Sequence, residues 1–381
     1  MIEGSPRVEQ SCVLISADEH VVEHPGVWTE RMSKSRWGNR IPHTERESDG
    51  TEHWTVDGEI LPLPGVALSG ALLADPCREL QRWVDVPKLS YVPDERLKAM
   101  DASGVNFAVL YPTVAGVAGE TFARLDDPEL ELACVQAYND WLIEEWASRS
   151  QRFVPQCIVP IYPAEASVAE IKRAVKMGHR GVIYPAIPMQ IRNVPHINDP
   201  QYDLIWATCQ ELGVPLCLHA GSSKGVQIPI HPDMSPRAAA ALQAVLRPAS
   251  AVFDVANILF SRILMRFPNL KVIFAESTVA WGAFLLEYAD HQFQQDRCEG
   301  YELKPSEMFT RQCFLTTWYN RVRTDIGYLG ADNILWATNF PLANSTWPDV
   351  RHFVERGLFG VPEDERHKIL WQNAAKLYQI S

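Results

Sequence analysis

The sequence predicts an α/β fold, a distorted (β/α)8 TIM barrel. Three observations carry that expectation. Short apolar runs, rich in β-branched and aromatic residues, alternate with longer amphipathic stretches through most of the chain. Eight such runs can be picked out, each followed by a helical pattern, as a closed parallel barrel requires. The runs are nearly continuous in apolar residues, which is the pattern of parallel strands buried on both faces. At 381 residues, with 46% apolar and 22% charged residues, the chain has enough material for one large core.

The predicted strands lie at 13–18, 105–111, 153–159, 181–184, 214–219, 271–276, 312–317 and 334–338. Helical patterns cover 94–103, 128–148, 164–177, 200–212, 236–267, 279–295, 321–329 and 348–357, and a last helix over 362–378 closes the chain. Gly104, Gly178, Gly213 and Gly330 stand where a helix should end before a strand begins. A doubly wound open sheet is the rival, but it usually opens on a glycine-rich turn. Here strand 1 runs into Ser16-Ala17-Asp18-Glu19-His20 with no glycine. One irregularity follows that strand. Segment 33–93 holds Pro, Gly, Trp and charged residues, with a hairpin-like piece at 54–60. Insertions on βα loops lie on the active-site face of a barrel, so this one is expected over the mouth of a single domain, 1–381.

Charge narrows the partners. With 35 Lys+Arg against 47 Asp+Glu the formal net charge is −12, which argues against nucleic acid or an anionic membrane. No apolar run is expected to supply the roughly 18–20 residues of a membrane span: 238–246 is short, and 258–267 is broken by Arg262 and Arg266. The first residues have no signal-peptide pattern. The eight cysteines are scattered, without a CxxC pair and mostly in apolar contexts. Reduced thiols in a cytoplasmic protein are the expectation.

Catalytic residues of a barrel lie at or just past the C-terminal ends of its strands. Strand 1 ends in Asp18-x-His20, and residues two apart on a strand face the same side. A carboxylate and an imidazole so placed can chelate one divalent cation, or can simply be a capping Asp and a surface His. His219 ends the apolar strand Val214-Pro-Leu-Cys-Leu-His219, where a buried ring needs a hydrogen-bond partner or a metal. Glu276 ends Lys271-Val-Ile-Phe-Ala-Glu276, where an acid is either salt-bridged or a proton carrier. Tyr111, Tyr184, Trp281, Trp318 and Tyr319 are candidates for a pocket wall, although barrel aromatics more often pack.

In these positions and their surroundings the sequence resembles the amidohydrolase superfamily, in the branch of the aminocarboxymuconate semialdehyde decarboxylase-like enzymes. The carrying pieces include Ser16-Ala-Asp-Glu-His-Val-Val-Glu23, Tyr111-Pro-Thr113, Leu218-His-Ala-Gly221, Phe267-Pro-Asn-Leu-Lys-Val-Ile-Phe-Ala-Glu-Ser277 and Trp336-Ala-Thr-Asn-Phe-Pro341, in that order over nearly the whole chain. The resemblance implies a metal-dependent barrel enzyme that hydrolyses or decarboxylates a small carboxylated or acyl-bearing organic substrate. It implies one divalent ion, zinc first and manganese or iron as alternatives, and a homodimer is expected. By position Asp18, His20 and His219 match the metal ligands, and Glu276 matches the residue acting on substrate. The branch carries Ser-Asp-(Tyr/Phe)-Pro-His at strand 8, whereas this chain reads Thr338-Asn339-Phe340-Pro341-Leu342. Asn339 cannot ionise, but its amide oxygen can still serve as a weak ligand. Asn339 and His219 join Glu276 in the expected catalytic set, with Glu276 as the base that replaces the missing Asp. A metal-free or non-catalytic barrel that binds a small molecule is the alternative.

Overall fold

The computed structural model describes residues 13–76, 78–222 and 228–381, so Cys12, Cys77 and the N-terminal reading on residues 1–12 lie outside the described residues. β1 (Ile15–His20) opens the barrel. A small antiparallel sheet follows, made of β2 (His43–Arg46), β3 (Glu52–Val56) and β4 (Glu59–Ile60). The remaining strands are β5 (Phe107–Tyr111), β6 (Phe153–Pro155), β7 (Cys157–Ile158), β8 (Val182–Ile183), β9 (Leu216–His219), β10 (Val272–Ala275), β11 (Cys313–Thr317) and β12 (Ile334–Trp336). They pair in parallel in the orders β1-β5-β6 and β7-β8-β9-β10-β11-β12. The result is the expected (β/α)8 barrel, with each of its eight strand positions at a predicted run.

The two gaps in the ring have different causes. β6 and β7 fill one strand position and are separated only by Gln156, which is fully buried. There the chain changes from pairing with β5 to pairing with β8. The Gln156 side chain takes part in the bonding, since its Oε1 accepts from the Cys217 thiol at 2.6 Å and the Tyr378 hydroxyl at 3.3 Å. Gly181 makes room for it, because a Cβ there would lie 2.6 Å from Gln156 Oε1. The second gap lies between β12 and β1. It is closed by the turn after β12: the Thr338 N–H donates to Ser16 Oγ at 2.9 Å, Asn339 N–H to Asp18 O at 3.0 Å, and His20 N–H to Phe340 O at 2.7 Å.

Helices pack outside the ring, and four differ from the periodic pattern; of 321–329 only Ile326–Leu329 is helical. The stretch 128–148 is α-helical over Pro128–Trp141 and then widens into a π-helical turn over Leu142–Ala147. The last helix has a similar widening over Lys368–Gln372. The stretch 236–267 breaks at Arg262, whose φ of 63° stops Pro236–Phe260 before a short helix, Ile263–Arg266. Pro236–Phe260 itself runs through Pro248. At 25 residues, with a mean hydropathy of 1.2 over its most apolar stretch, it is long and apolar enough to cross a membrane by length and composition. That corrects the reading of 238–246 as a short run, since the helix continues past Leu246 through Arg247 and Pro248.

Segment 33–93 contains the expected hairpin. Asp57 and Gly58 both take positive φ (54° and 81°), the conformation a two-residue Asp-Gly turn requires. Trp54 anchors the small sheet by packing edge-on against Trp28 at 5.6 Å and donating to Val66 O at 2.9 Å. Farther along, the Ala71 N–H donates to Pro341 O at 3.1 Å, in the turn that closes the ring.

Candidate metal centre and active site

β1 delivers Asp18 and His20, and β9 ends on His219. All three are fully buried. Asp18 Oδ1 lies 3.5 Å from His20 Nε2 and 3.4 Å from His219 Nε2, and one ligand atom from each of the three falls within 4.8 Å of the others. Each ring is held by its other nitrogen: His20 Nδ1 donates to Pro112 O at 3.1 Å and His219 Nδ1 to Ala220 O at 2.8 Å. A backbone acceptor on Nδ1 leaves the Nε2 lone pair facing inward, as in histidines that bind metal. Asp18 is oriented through its second oxygen, which accepts from the Glu276 N–H at 2.8 Å.

Glu276 follows β10 and Asn339 follows β12, and both are fully buried. Both take left-handed backbone, with φ of 49° and 58°. Such a conformation is costly for residues with side chains and is common where a site must aim a group. Here Glu276 Oε1 accepts from Asn339 Nδ2 at 3.1 Å and from Asn344 Nδ2 at 2.9 Å. Glu276 Oε2 has no hydrogen-bond partner and lies 4.0 Å from His219 Nδ1. Asp18 Oδ1, His20 Nε2, His219 Nε2 and Asn339 Oδ1 are likewise buried without a partner. Buried polar atoms are rarely left unsatisfied. A cluster of them with mixed nitrogen and oxygen donors is what a divalent cation satisfies.

The electrostatics favour positive charge at this point, carried by a proton on His219 until a cation displaces it. Burial works against a charged His219, but the carboxylates of Asp18 and Glu276 outweigh it and raise the ring to about 9. Burial likewise opposes ionisation of Asp18, and His219 with His20 reverses it, so the carboxyl stays below its usual range. Burial lowers His20 despite Asp18 beside it.

Two neighbours complete the mouth. Arg247, on helix Pro236–Phe260, places Nη1 3.9 Å from Glu276 Oε2. It lines two cavities, of about 230 and 570 Å³, whose other walls include Leu68 of the 33–93 segment. Sequence reasoning missed Arg247 as a site residue. The helix that carries it also holds Arg237 and Asp254, so no local signal sets it apart. Asn344, a partner of Glu276, was missed as well. Of the aromatic candidates, Tyr111 packs edge-on against His219 at 5.1 Å, and Trp318 and Tyr319 line a cavity with Asn344. Tyr184 points away, donating to Ile161 O and packing on Trp206.

A family model described as amidohydrolase matches residues 53–380. The chain belongs to the amidohydrolase family. The match begins after β1 and so does not include Asp18 and His20. Among curated amidohydrolase relatives, the gamma-resorcylate decarboxylase of Rhizobium sp. (strain MTP-10005) is 25% identical over 331 residues, covering 82% of this chain and 93% of that protein. An amidohydrolase structure from Mycobacterium avium subsp. paratuberculosis K-10 superposes with a TM-score of 0.78 at 20% identity, covering 97% of this chain and 99% of that one. The dihydroxybenzoic acid decarboxylase of Polaromonas sp. JS666, with bound manganese and the inhibitor 2-nitroresorcinol, superposes with a TM-score of 0.63 at 19% identity, covering 97% of each chain.

Proposed function

We propose that this amidohydrolase-family protein is an enzyme, a metal-dependent carboxy-lyase that removes CO2 non-oxidatively from small aromatic carboxylic acids. The observation that carries this is the convergence of the partnerless buried atoms of Asp18, His20 and His219 beside the free oxygen of Glu276. The decarboxylase relatives support the substrate class. Hydrolysis, also open on the sequence, is not part of the proposal.

Asp18, His20 and His219 would hold the ion, with Asn339 Oδ1 as a further neutral donor. Zinc and manganese both suit such a donor set. Bound there, a divalent ion supplies positive charge that favours an anionic, oxygen-bearing substrate. Arg247 at the rim meets the substrate carboxylate. Asn339 and Asn344 hold Oε1 of Glu276, which leaves Oε2 to move the proton. Glu276 Oε2 first takes up a proton from solvent; the bond from ring carbon to carboxylate then breaks, its electron pair stays on the ring carbon, CO2 departs, and that carbon takes the proton from Oε2, which returns Glu276 to the carboxylate. Asn339 cannot carry that proton, so Glu276 is the carrier in this chain.

Segment 33–93 forms one wall of the substrate cavity in this proposal, supported by the Ala71–Pro341 bond. A homodimer is supported by exposed Val245 and Phe253 on Pro236–Phe260, with Phe284 and Tyr288 on the neighbouring helix Gly282–Gln295. A cytoplasmic setting is supported by the described cysteines, all of them free thiols.

The test is metal analysis of the purified protein combined with CO2 release from a panel of hydroxylated benzoates. Turnover that disappears with chelation and returns with zinc or manganese is expected. A metal-loaded protein inert on the whole panel, or one that turns over fully after stripping, would overturn the proposal.

A further inference from the structure

The face of the barrel opposite the metal site carries a second cavity, of about 460 Å³. It opens at the N-terminal ends of β9 to β12, between Val214, Lys271, Phe314 and Asp332. In barrels this end serves stability, and the reaction chemistry sits at the other end. A concave, partly apolar hollow of this volume is therefore unexpected there, since it falls within the size range of small-molecule sites.

Its charge is more telling. Four cationic side chains line it: Lys271, Arg311, Lys368 and Lys376. Asp332 is the one acid among the lining residues, and it is taken by Lys368 at 3.0 Å. Lys376 has no carboxylate partner among the described residues. Lys271 reaches only a carbonyl, Arg311 O at 2.7 Å, and Arg311 is likewise spent on neutral acceptors, Gln312 Oε1 and Leu264 O. The hollow thus carries a formal excess of three positive charges in a chain whose net charge is −12. Elsewhere on the surface, cations such as Arg31, Arg40 and Arg152 are matched by nearby carboxylates. Burial, Lys376 and Arg311 together pull Lys271 below its usual range, which means that these cations repel one another as they stand. An anion in the hollow relieves that repulsion. The wall between the charges is apolar, with Leu270, Phe314 and Leu377.

We infer that this hollow is a second ligand site, distinct from the metal centre, that takes an organic anion with a flat apolar body, of the arylcarboxylate or arylsulfonate kind. The anionic group sits among Lys271, Arg311 and Lys376, and the ring lies against Phe314 and Leu377. Inorganic anions alone meet the charge but not the wall, so they bind more weakly.

The experiment is calorimetric titration of the full-length protein with naphthalene-2-sulfonate, repeated with K376E, with K172E as control, and with inorganic phosphate as competitor. Lys376 is exposed and Lys172 is exposed on a different helix, so neither change disturbs the core. A binding component that weakens at least tenfold in K376E, is unchanged in K172E and falls with added salt is expected. Phosphate should displace it only at a large excess. Absence of any such component, equal loss in both variants, or phosphate binding as tight as the arylsulfonate would overturn the inference. The result does not depend on decarboxylase activity, because no substrate turnover is read.

Discussion

The Asn339 carboxamide donates to Glu276 Oε1 at 3.1 Å. The residue standing in for the family's strand-8 acid is therefore a hydrogen-bond donor matched to a carboxylate acceptor. With Asp at 339 the two carboxyl groups would face each other at that separation, and like charges so close cannot both ionise. Asn339→Asp is expected to slow turnover by at least tenfold without lowering metal content. Steady-state rates and metal analysis on one preparation decide it, and an accelerated reaction would assign the proton to residue 339 instead.

Glu276 is the proton carrier of the proposal. Removing a general acid or base typically costs about 10²–10⁴ in rate. Glu276→Gln keeps an acceptor oxygen for Asn339 and Asn344, so it should lose activity on that scale while retaining metal and thermal stability. Retention of most activity would remove Glu276 from its role.

Arg247 sits at the rim, 3.9 Å from Glu276 Oε2 and exposed enough to meet a substrate. Arg247→Ala should raise KM for the aromatic acid by about tenfold, the scale of one charge-assisted contact. Its effect on kcat should be smaller. A change confined to kcat would place the arginine in the chemistry rather than in binding.

Asp254 gives a pH prediction far from the chemistry. It is buried on helix Pro236–Phe260, its Oδ1 has no partner, and burial raises its carboxyl to about 7. The folded state then holds a proton that the unfolded chain releases near its ordinary value of 3.8. Stability accordingly falls as pH rises from about 4 to about 7 and levels off above that. Asp254→Asn should remove this dependence. The variant should melt several degrees higher than the parent at pH 8 and at the same temperature near pH 4, by calorimetric scans across pH.

Gly181 faces the split strand. Its added Cβ would lie 2.6 Å from Gln156 Oε1, an atom held by Cys217 and Tyr378. Gly181→Ala is expected to cost about 1–3 kcal/mol by overpacking, read from denaturant unfolding. A neutral result would show that Gln156 can move aside freely.

The barrel was legible because most of its strands are nearly continuous apolar runs, and the candidate centre because its residues end such runs. Asp18, His20, His219 and Glu276 needed only the rule that barrel chemistry sits past strand ends. What was hidden depends on contacts between distant segments. Arg247 comes from a helix 29 residues before Glu276, by sequence number, and nothing local marks its reach. Asn344 meets Glu276 only because the turn after β12 folds back over the mouth. Gln156 reads as one more residue of an apolar run, since periodicity cannot register a strand that changes partner. The basic hollow is invisible for the same reason, because Lys271, Arg311 and Lys376 converge only when the ring has closed.

That closure sets a schedule. The seam between the ring's two ends joins Ser16 to Thr338 across 322 positions, and Asp18 to Asn339 beside it. At the roughly 5–20 residues per second of ribosomal synthesis, the first metal-site residues wait about 15–65 s for their last neighbours to be made. Until then the Asp18 carbonyl lacks the bond it accepts from the Asn339 N–H. A nascent or truncated chain ending before the seam thus has most of the barrel's sequence but not its finished cation site. In the proposed reading, tight metal uptake becomes a late event and a reporter that the two ends of the ring have joined.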